Sequence, residues 1–340
     1  MNRLYRLVIS ALAASFLTPG ALHADENYEG PIIDMHMHAF GAPGSTAIKI
    51  CAPVEHWPAW DLEKSPEDNF RQQMSRACEN PISSAANDQE LLERTLAAMR
   101  EHNIYGMLGG RPEMLERWTK RDPGRFMPSL DLNLRTLMST PQEIRELARE
   151  GAIKAIFEVM TQYHGIPANS TELDPYFALA QELDLPIGIH FSQGPPGNGY
   201  LSRGMRVSHS SPLLLEEVLL KYPRARVWVS HGAYPFIDDM KAMLLAHPRL
   251  YLDVGIYSFV MPESEYHGWI CSFVDAGFYD RIMFGSDSQF WPETISIAIA
   301  RTARAPCLNP HSRRAIFYGN AASFLGLSEE QKNHHRAGMK

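Results

Sequence analysis

The sequence predicts an α/β fold: a closed (β/α)8 TIM barrel with a long insertion after strand one and extra helices at its C-terminal end. Three observations predict it. Eight short strand-like runs alternate with helical patterns between Pro31 and Leu327, mostly through short connections. Eight repeats in about 300 residues fit closure better than an open doubly wound sheet. No glycine-rich dinucleotide fingerprint follows the first strand. Nothing marks a boundary inside 31–327, so 25–327 reads as one domain.

The first strand is Pro31 to His38. Ile32 and Ile33 start it, and Asp34, His36 and His38 follow at every second position. On a strand these three share a face, with Asp34 one step deeper, and two imidazoles so placed can hold one metal ion. A buried strand ending in two histidines is the plain alternative. Residues 40–86 show no period and carry Pro53, Trp57, Pro58, Trp60, Cys51 and Cys78. So long a stretch reads as a lid-like ordered insertion, or as an aromatic minicore with no ligand contact.

Helical spacing returns at Asp88 to His102, with Leu91, Leu92, Leu96 and Met99 on one side. Strand two, Ile104 to Leu108, ends at Gly109 and Gly110. Helix Glu113 to Lys120 leads to strand three, Arg125 to Leu130. Helix Gln142 to Glu150 leads to strand four, Ala152 to Val159, with Glu158 near its end. Helix Asp174 to Leu183 precedes strand five, Pro186 to His190. A Gly- and Pro-rich loop, Ser192 to Ser211, follows, then helix Pro212 to Tyr222 and strand six, Arg226 to His231. Helix Pro235 to Ala246, strand seven at Leu250 to Val254 and helix Glu263 to Ala276 come next. Strand eight is Arg281 to Asp287, and helices Pro292 to Arg304 and His311 to Leu325 close the pattern. Residues 328–340 read as a polar, basic tail that frays.

The composition is globular, 45% hydrophobic and 21% charged. A net charge of −7 gives no reason to invoke nucleic acid. Residues 1–24 read as a signal peptide: Arg3 and Arg6, an apolar run from Leu7 to Leu17, then Pro19 and Gly20 and small residues up to Ala24. Its removal leaves no stable membrane anchor, and the location expected is periplasmic or secreted. A retained anchor is the alternative. An oxidising compartment permits disulfides. Cys51 with Cys78 is the favoured pair, Cys271 with Cys307 the weaker one, and four free thiols the alternative. Zinc bound by cysteines is not expected, because no C-x-x-C pair exists.

In such a barrel the site forms where strands end. His36, His38, Glu158, His190, His231 and Asp287 all fall at those ends, on strands one, four, five, six and eight. Neutral imidazoles and carboxylates are suitable ligands for a divalent cation, which removes the cost of burying them. Each taken singly could be a structural cap; together they point to a metal centre. His102 and His247 fit favourable helix C-termini. His56, His267, His311, His334 and His335 show no partner pattern.

Ile33-Asp-Met-His-Met-His38, Pro186-Ile-Gly-Ile-His190, Trp228-Val-Ser-His231, Met283-Phe-Gly-Ser-Asp287 and the closing Tyr318 to Gly326 resemble, in this order, the amidohydrolase superfamily. The likeness is to the amidohydrolase-related branch that includes aminocarboxymuconate semialdehyde decarboxylase, over Pro31 to Leu327. It implies that His36, His38, His190 and Asp287 ligate metal. His231 would bind a second metal or act in acid/base chemistry. Some members use a carboxylated Lys on strand four and others Glu; Glu158 is preferred here to Lys154 as the bridging ligand.

The function expected is a metal-dependent hydrolase acting on an amide, ester or lactone of a small molecule. One or two divalent ions are expected, zinc first and manganese second. Asp287 is the proton carrier and His231 the second catalytic residue. The branch also implies a decarboxylase or hydratase of an unsaturated carboxylic acid as the alternative. For that reading Arg203 and Arg206, with His164 and His209 nearby, would grip a carboxylate. A catalytically dead binding barrel and a TatD-like phosphoesterase are the readings from other classes. A homo-oligomer stays open.

Overall fold

A computed structural model describes residues 28–44, 46–135 and 139–338. The leader expected over 1–24 lies outside the described residues. The barrel strands are β1 (Ile32–His38), β2 (Ile104–Gly110), β3 (Phe126–Leu132), β4 (Ala155–Val159), β5 (Ile187–His190), β6 (Val227–Ser230), β7 (Tyr251–Asp253) and β8 (Ile282–Met283). They form one eight-stranded sheet in sequential order, with every pairing parallel.

β8 is shorter than the run to Asp287 read from sequence, yet the chain beyond it closes the circle. Met35 N donates to Phe284 O (2.9 Å), Asp287 N donates to His36 O (2.8 Å), and Met37 bridges Ser288 in parallel. Ladder geometry ends there because Asp287 takes a left-handed backbone (φ +51), which no continuing strand can adopt. β1 is irregular too. Its register against β2 shifts between Asp34 and Met37, and such bulges re-aim side chains next to active sites.

Two apolar layers hold the barrel. Ile33, Met35, Met107, Ala155, Phe157, Trp228 and Met283 fill its interior, joined by Tyr318, Ala321, Ala322 and Phe324 from below. A larger shell between strands and helices includes Leu91, Leu96 and Met99, the stripe expected on the first long helix. That helix is Asp88–Glu101, and Asn87 caps it by accepting from Glu90 N. Thr140 and Glu143 make a reciprocal capping box on helix Pro141–Arg149, an arrangement that stabilises by roughly 1 kcal/mol. Among the described residues no helix is long and apolar enough to cross a membrane.

The insertion is ordered. Lys49–Ile50 pairs antiparallel with Ile82–Ser83, and helix Pro66–Arg76 lies between them in sequence. A Cys51–Cys78 disulfide closes its base across 27 residues. A second disulfide, Cys271–Cys307, spans 36 residues. Loops of these lengths correspond to about 3–4 kcal/mol each in the chain-entropy account. The insertion reaches across the mouth of the barrel. Val54 N donates to Val260 O, Ala85 N to Phe290 O, and the Trp291 indole to Ile48 O. Trp60 lies so close over Gly197 that no side chain fits there.

The tail is the main correction to the sequence reading. Residues 329–337 form a helix rather than a frayed end, capped by Ser328. His335, which had no partner pattern, is buried: it stacks on Tyr105 (centroids 3.6 Å) and its Nδ1 lies 3.1 Å from Tyr318 Oη. The helical pattern is too short and polar to show in sequence; the contact with Tyr105 on β2 and Tyr318 makes it.

Burial, aided by the neighbouring His334, pushes His335 down to about 4, below the ordinary value of about 6.5. The unfolded chain therefore binds the extra proton first. This stability is fully present above about pH 6.5 and is lost as pH falls toward 4. Urea unfolding at pH 7.5 and 4.5 should show a smaller acid loss in His335→Phe than in the natural protein. Equal losses would remove His335 from the account.

Candidate metal centre

The strand ends deliver the candidate ligands. β1 brings His36 and His38, β4 brings Glu158, and the turn after β6 begins with His231. His231 and Asp287 are both left-handed non-glycine residues (φ +59 and +51). Such backbone costs of order 1–3 kcal/mol per residue and concentrates at functional sites. His36, His38, Glu158, His190, His231 and Asp287 are all 5% exposed or less.

Two triplets could hold a cation: His36, His38 and Asp287, and His36, Glu158 and His231, with ligand atoms within 4.8 Å of one another. His36 Nε2 lies 3.5 Å from Asp287 Oδ1 and 3.6 Å from Glu158 Oε1. His38 Nε2 is 3.3 Å from Asp287 Oδ1, and His231 Nε2 is 3.4 Å from Glu158 Oε1. The buried atoms His36 Nε2, Glu158 Oε1 and His231 Nε2 all lack hydrogen-bond partners. Buried orphans cost free energy unless something satisfies them. Three of them facing one point, two imidazole nitrogens and a carboxylate oxygen, are a donor set suited to a divalent cation.

Electrostatics agree. Burial opposes a proton on His36, but the carboxylates of Asp253, Asp287 and Glu158 outweigh it and push His36 up to about 10. Burial also raises Asp287, and the surrounding imidazoles reverse this and hold it at about 2. Glu158 is driven well below the carboxylate range by His190, His36 and His231, against its burial. His190 is pushed down to about 3, mainly by burial.

His190 stands beside the two triplets but in neither. Its ring lies 4.5 Å from that of His231. Gln162 Nε2 donates to its carbonyl (2.6 Å) and also touches its Nδ1, while Tyr163 Oη lies 3.1 Å from its Nε2. Lys154 is exposed and precedes β4, so it does not reach the centre. Asp34 spends Oδ1 on backbone, accepting from His36 N (3.0 Å) and Ser286 N (2.9 Å). Arg203 and Arg206 are exposed, and Arg206 donates to the carbonyls of Arg203 and Met205. His164 is exposed as well, and His209 is partly buried.

Two acidic groups were missed. Asp253 ends β7 with both oxygens within 3.2 Å of His36 Nδ1. Asp131, on β3, accepts from Glu158 N (3.1 Å) and is pushed up to about 6 by burial. Both occupy the strand-end position that singled out the other six, so the same rule would have found them. Gln162 and Tyr163 lie in a short 3-10 turn after β4 that carries no pattern.

Comparison with known proteins agrees with this geometry. The amidohydrolase family matches residues 33–327, and the chain belongs to it. Its members usually use a divalent metal, and the buried His/Glu/Asp group could bind one. Among solved structures it is similar to an uncharacterised TIM-barrel protein from Bordetella bronchiseptica. That pair shares 18% identity and a TM-score of 0.61, covering 89% of this chain and 99% of the other. It is also similar to a probable 2-pyrone-4,6-dicarboxylic acid hydrolase from Acinetobacter baumannii, at 15% identity and TM-score 0.55, covering 87% and 99%. A third is a 2,6-dihydroxybenzoate decarboxylase, at 12% identity and TM-score 0.57, covering 88% and 99%. No curated protein matches the sequence.

Because His36 holds a proton up to about pH 10 without a cation, loading the centre displaces that proton. Apparent zinc affinity, read by chelator competition, should rise about tenfold per pH unit between pH 6 and 9. A flat profile would exclude His36 as a ligand.

Proposed function

We propose that this chain is a metal-dependent hydrolase that uses an activated water on an amide, ester or lactone of a small molecule. The convergence of His36 Nε2, Glu158 Oε1 and His231 Nε2 as buried, unpartnered atoms carries the reading. His36, His38 and Asp287 would hold one cation, zinc in first place and manganese in second, and Glu158 with His231, sharing His36, would serve a second. A divalent cation there supplies Lewis acidity, lowering the pKa of an adjacent water toward about 7 and polarising a carbonyl.

The protein's own groups do the rest. Asp287, ionised down to about pH 2, takes the water's proton on a carboxylate oxygen and returns it to the leaving group. Gln289 Nε2 donates to Asp287 Oδ1 (3.1 Å) and holds that carboxylate in place. With only the first cation in place, His231 Nε2 faces the same space, and as an imidazolium it hydrogen-bonds the carbonyl oxygen as charge develops. Burial of the whole set keeps bulk water out and strengthens each of these interactions.

Hydrolysis is favoured over decarboxylation or hydration of a carboxylic acid by the position of the two arginines nominated for that chemistry. Arg203 and Arg206 face solvent, and Arg206 is engaged by backbone carbonyls. The decarboxylase reading keeps support from the fold shared with 2,6-dihydroxybenzoate decarboxylase. A periplasmic or secreted location is proposed with it, supported by the leader-like first 24 residues and by two disulfides.

Asp287→Asn should lower kcat at least about 100-fold on esters or lactones even at zinc concentrations that saturate the centre. Chelation should abolish turnover and zinc should restore it. Release of CO2 from hydroxybenzoates, with no lactone or ester turnover, would overturn the hydrolase reading.

A further inference from the structure

His36 belongs to both cation-holding triplets. Its ring can serve a cation through Nε2 only if the proton sits on Nδ1. Nδ1 lies 3.1 and 3.2 Å from the two oxygens of Asp253, a residue with no exposed surface. Asp253 has three further partners: the Trp228 indole N–H (3.1 Å), His231 N (3.2 Å) and Gly255 N (2.9 Å). All three can only donate. A carboxylate ringed by donors keeps its role as acceptor, so the shared proton belongs to His36 Nδ1. The Nε2 lone pair is left facing the centre, where it has no other partner.

The same strand end acts on a second imidazole. His231 Nδ1 lies 3.2 Å from Gly255 O, and a carbonyl can only accept. His231 therefore carries its proton on Nδ1 and turns Nε2 toward Glu158. Gly255 N is tied to Asp253 Oδ1, so one residue links the two histidines. It must be glycine: a Cβ there would come within 2.5 Å of His36 Nδ1.

We propose that the end of β7, Asp253 with Gly255, is the positioning element of the metal centre. It ligates nothing. It sets the tautomer and ring orientation of His36 and His231, the strand-one and strand-six imidazoles, from one carboxylate and one carbonyl. The inference rests on the metal-centre reading above. Partners that take the second ring N–H of a metal-binding histidine are worth about 10- to 100-fold in affinity.

The test is zinc affinity by chelator competition, with ring nitrogen spectra of 15N-histidine-labelled, zinc-loaded protein. His36→Gln should lose tight binding. Asp253→Asn should keep its near-UV circular dichroism yet bind zinc 10- to 100-fold more weakly. The natural protein should show exchange-protected Nδ1–H signals for His36 and His231, and Asp253→Asn should lose or shift the first. A folded Asp253→Asn with natural zinc affinity overturns the proposal while leaving the metal centre standing. If that variant does not fold, the natural protein decides, because an Nε2–H signal on His36 overturns the assignment without any variant. If the natural protein binds no zinc, or His36→Gln binds as tightly, the metal-centre reading itself falls.

Discussion

Two carboxylates, Glu158 and Asp287, are buried against four imidazoles in a space only a few ångströms across. Leaving such groups unpaired in a dry interior costs several kcal/mol each. The rest of the molecule is arranged around that constraint. Opposite charge is placed at short range, so the acids are held ionised and His36 is held protonated without a cation. The backbone contributes too. Asp34, Asp131 and Asp253 each accept from main-chain N–H groups at the strand ends.

That arrangement needs a rigid base. The interior cluster of Phe157, Trp228, Ile33 and Met35 sits under the imidazoles, with His36 edge-on to Phe157 (centroids 4.9 Å). Glycines at 255 and 285 let the backbone come close to His36; a side chain at 255 would strike its ring and one at 285 its Cβ. The insertion and the loops after β5, β7 and β8 pack on one another above, through Trp60 on Gly197 and through main-chain bonds to Val260 and Phe290. The disulfide at the base of the insertion keeps this cover compact without a core of its own. The barrel is what these proteins share, and those similar in fold here include a hydrolase and a decarboxylase. The reaction is therefore decided by what the loops present to the cluster, not by the barrel.

Much of this was legible in the chain. Eight strand-like runs between helical patterns fitted a closed parallel barrel better than an open sheet, because period-two and period-3.6 hydrophobicity are local properties that survive without coordinates. The same logic put His36, His38, Glu158, His190, His231 and Asp287 at one rim, since parallel strands end on one side. The tertiary structure decided the rest. A bulge in β1 and left-handed backbone at His231 and Asp287 aim those side chains, and neither leaves a mark in residue type. Asp253 shares the strand-end position of the other six, but its pairing with His36 Nδ1, 217 residues away in sequence, exists only once the barrel closes. His335 is the same case at the other end of the chain: a polar tail by composition, a docked helix because Tyr105 and Tyr318 happen to face it. Sequence sets what each element is, because that depends on neighbours a few residues away. Which proton sits on which nitrogen depends on groups brought together across the barrel, and only the folded chain brings them there.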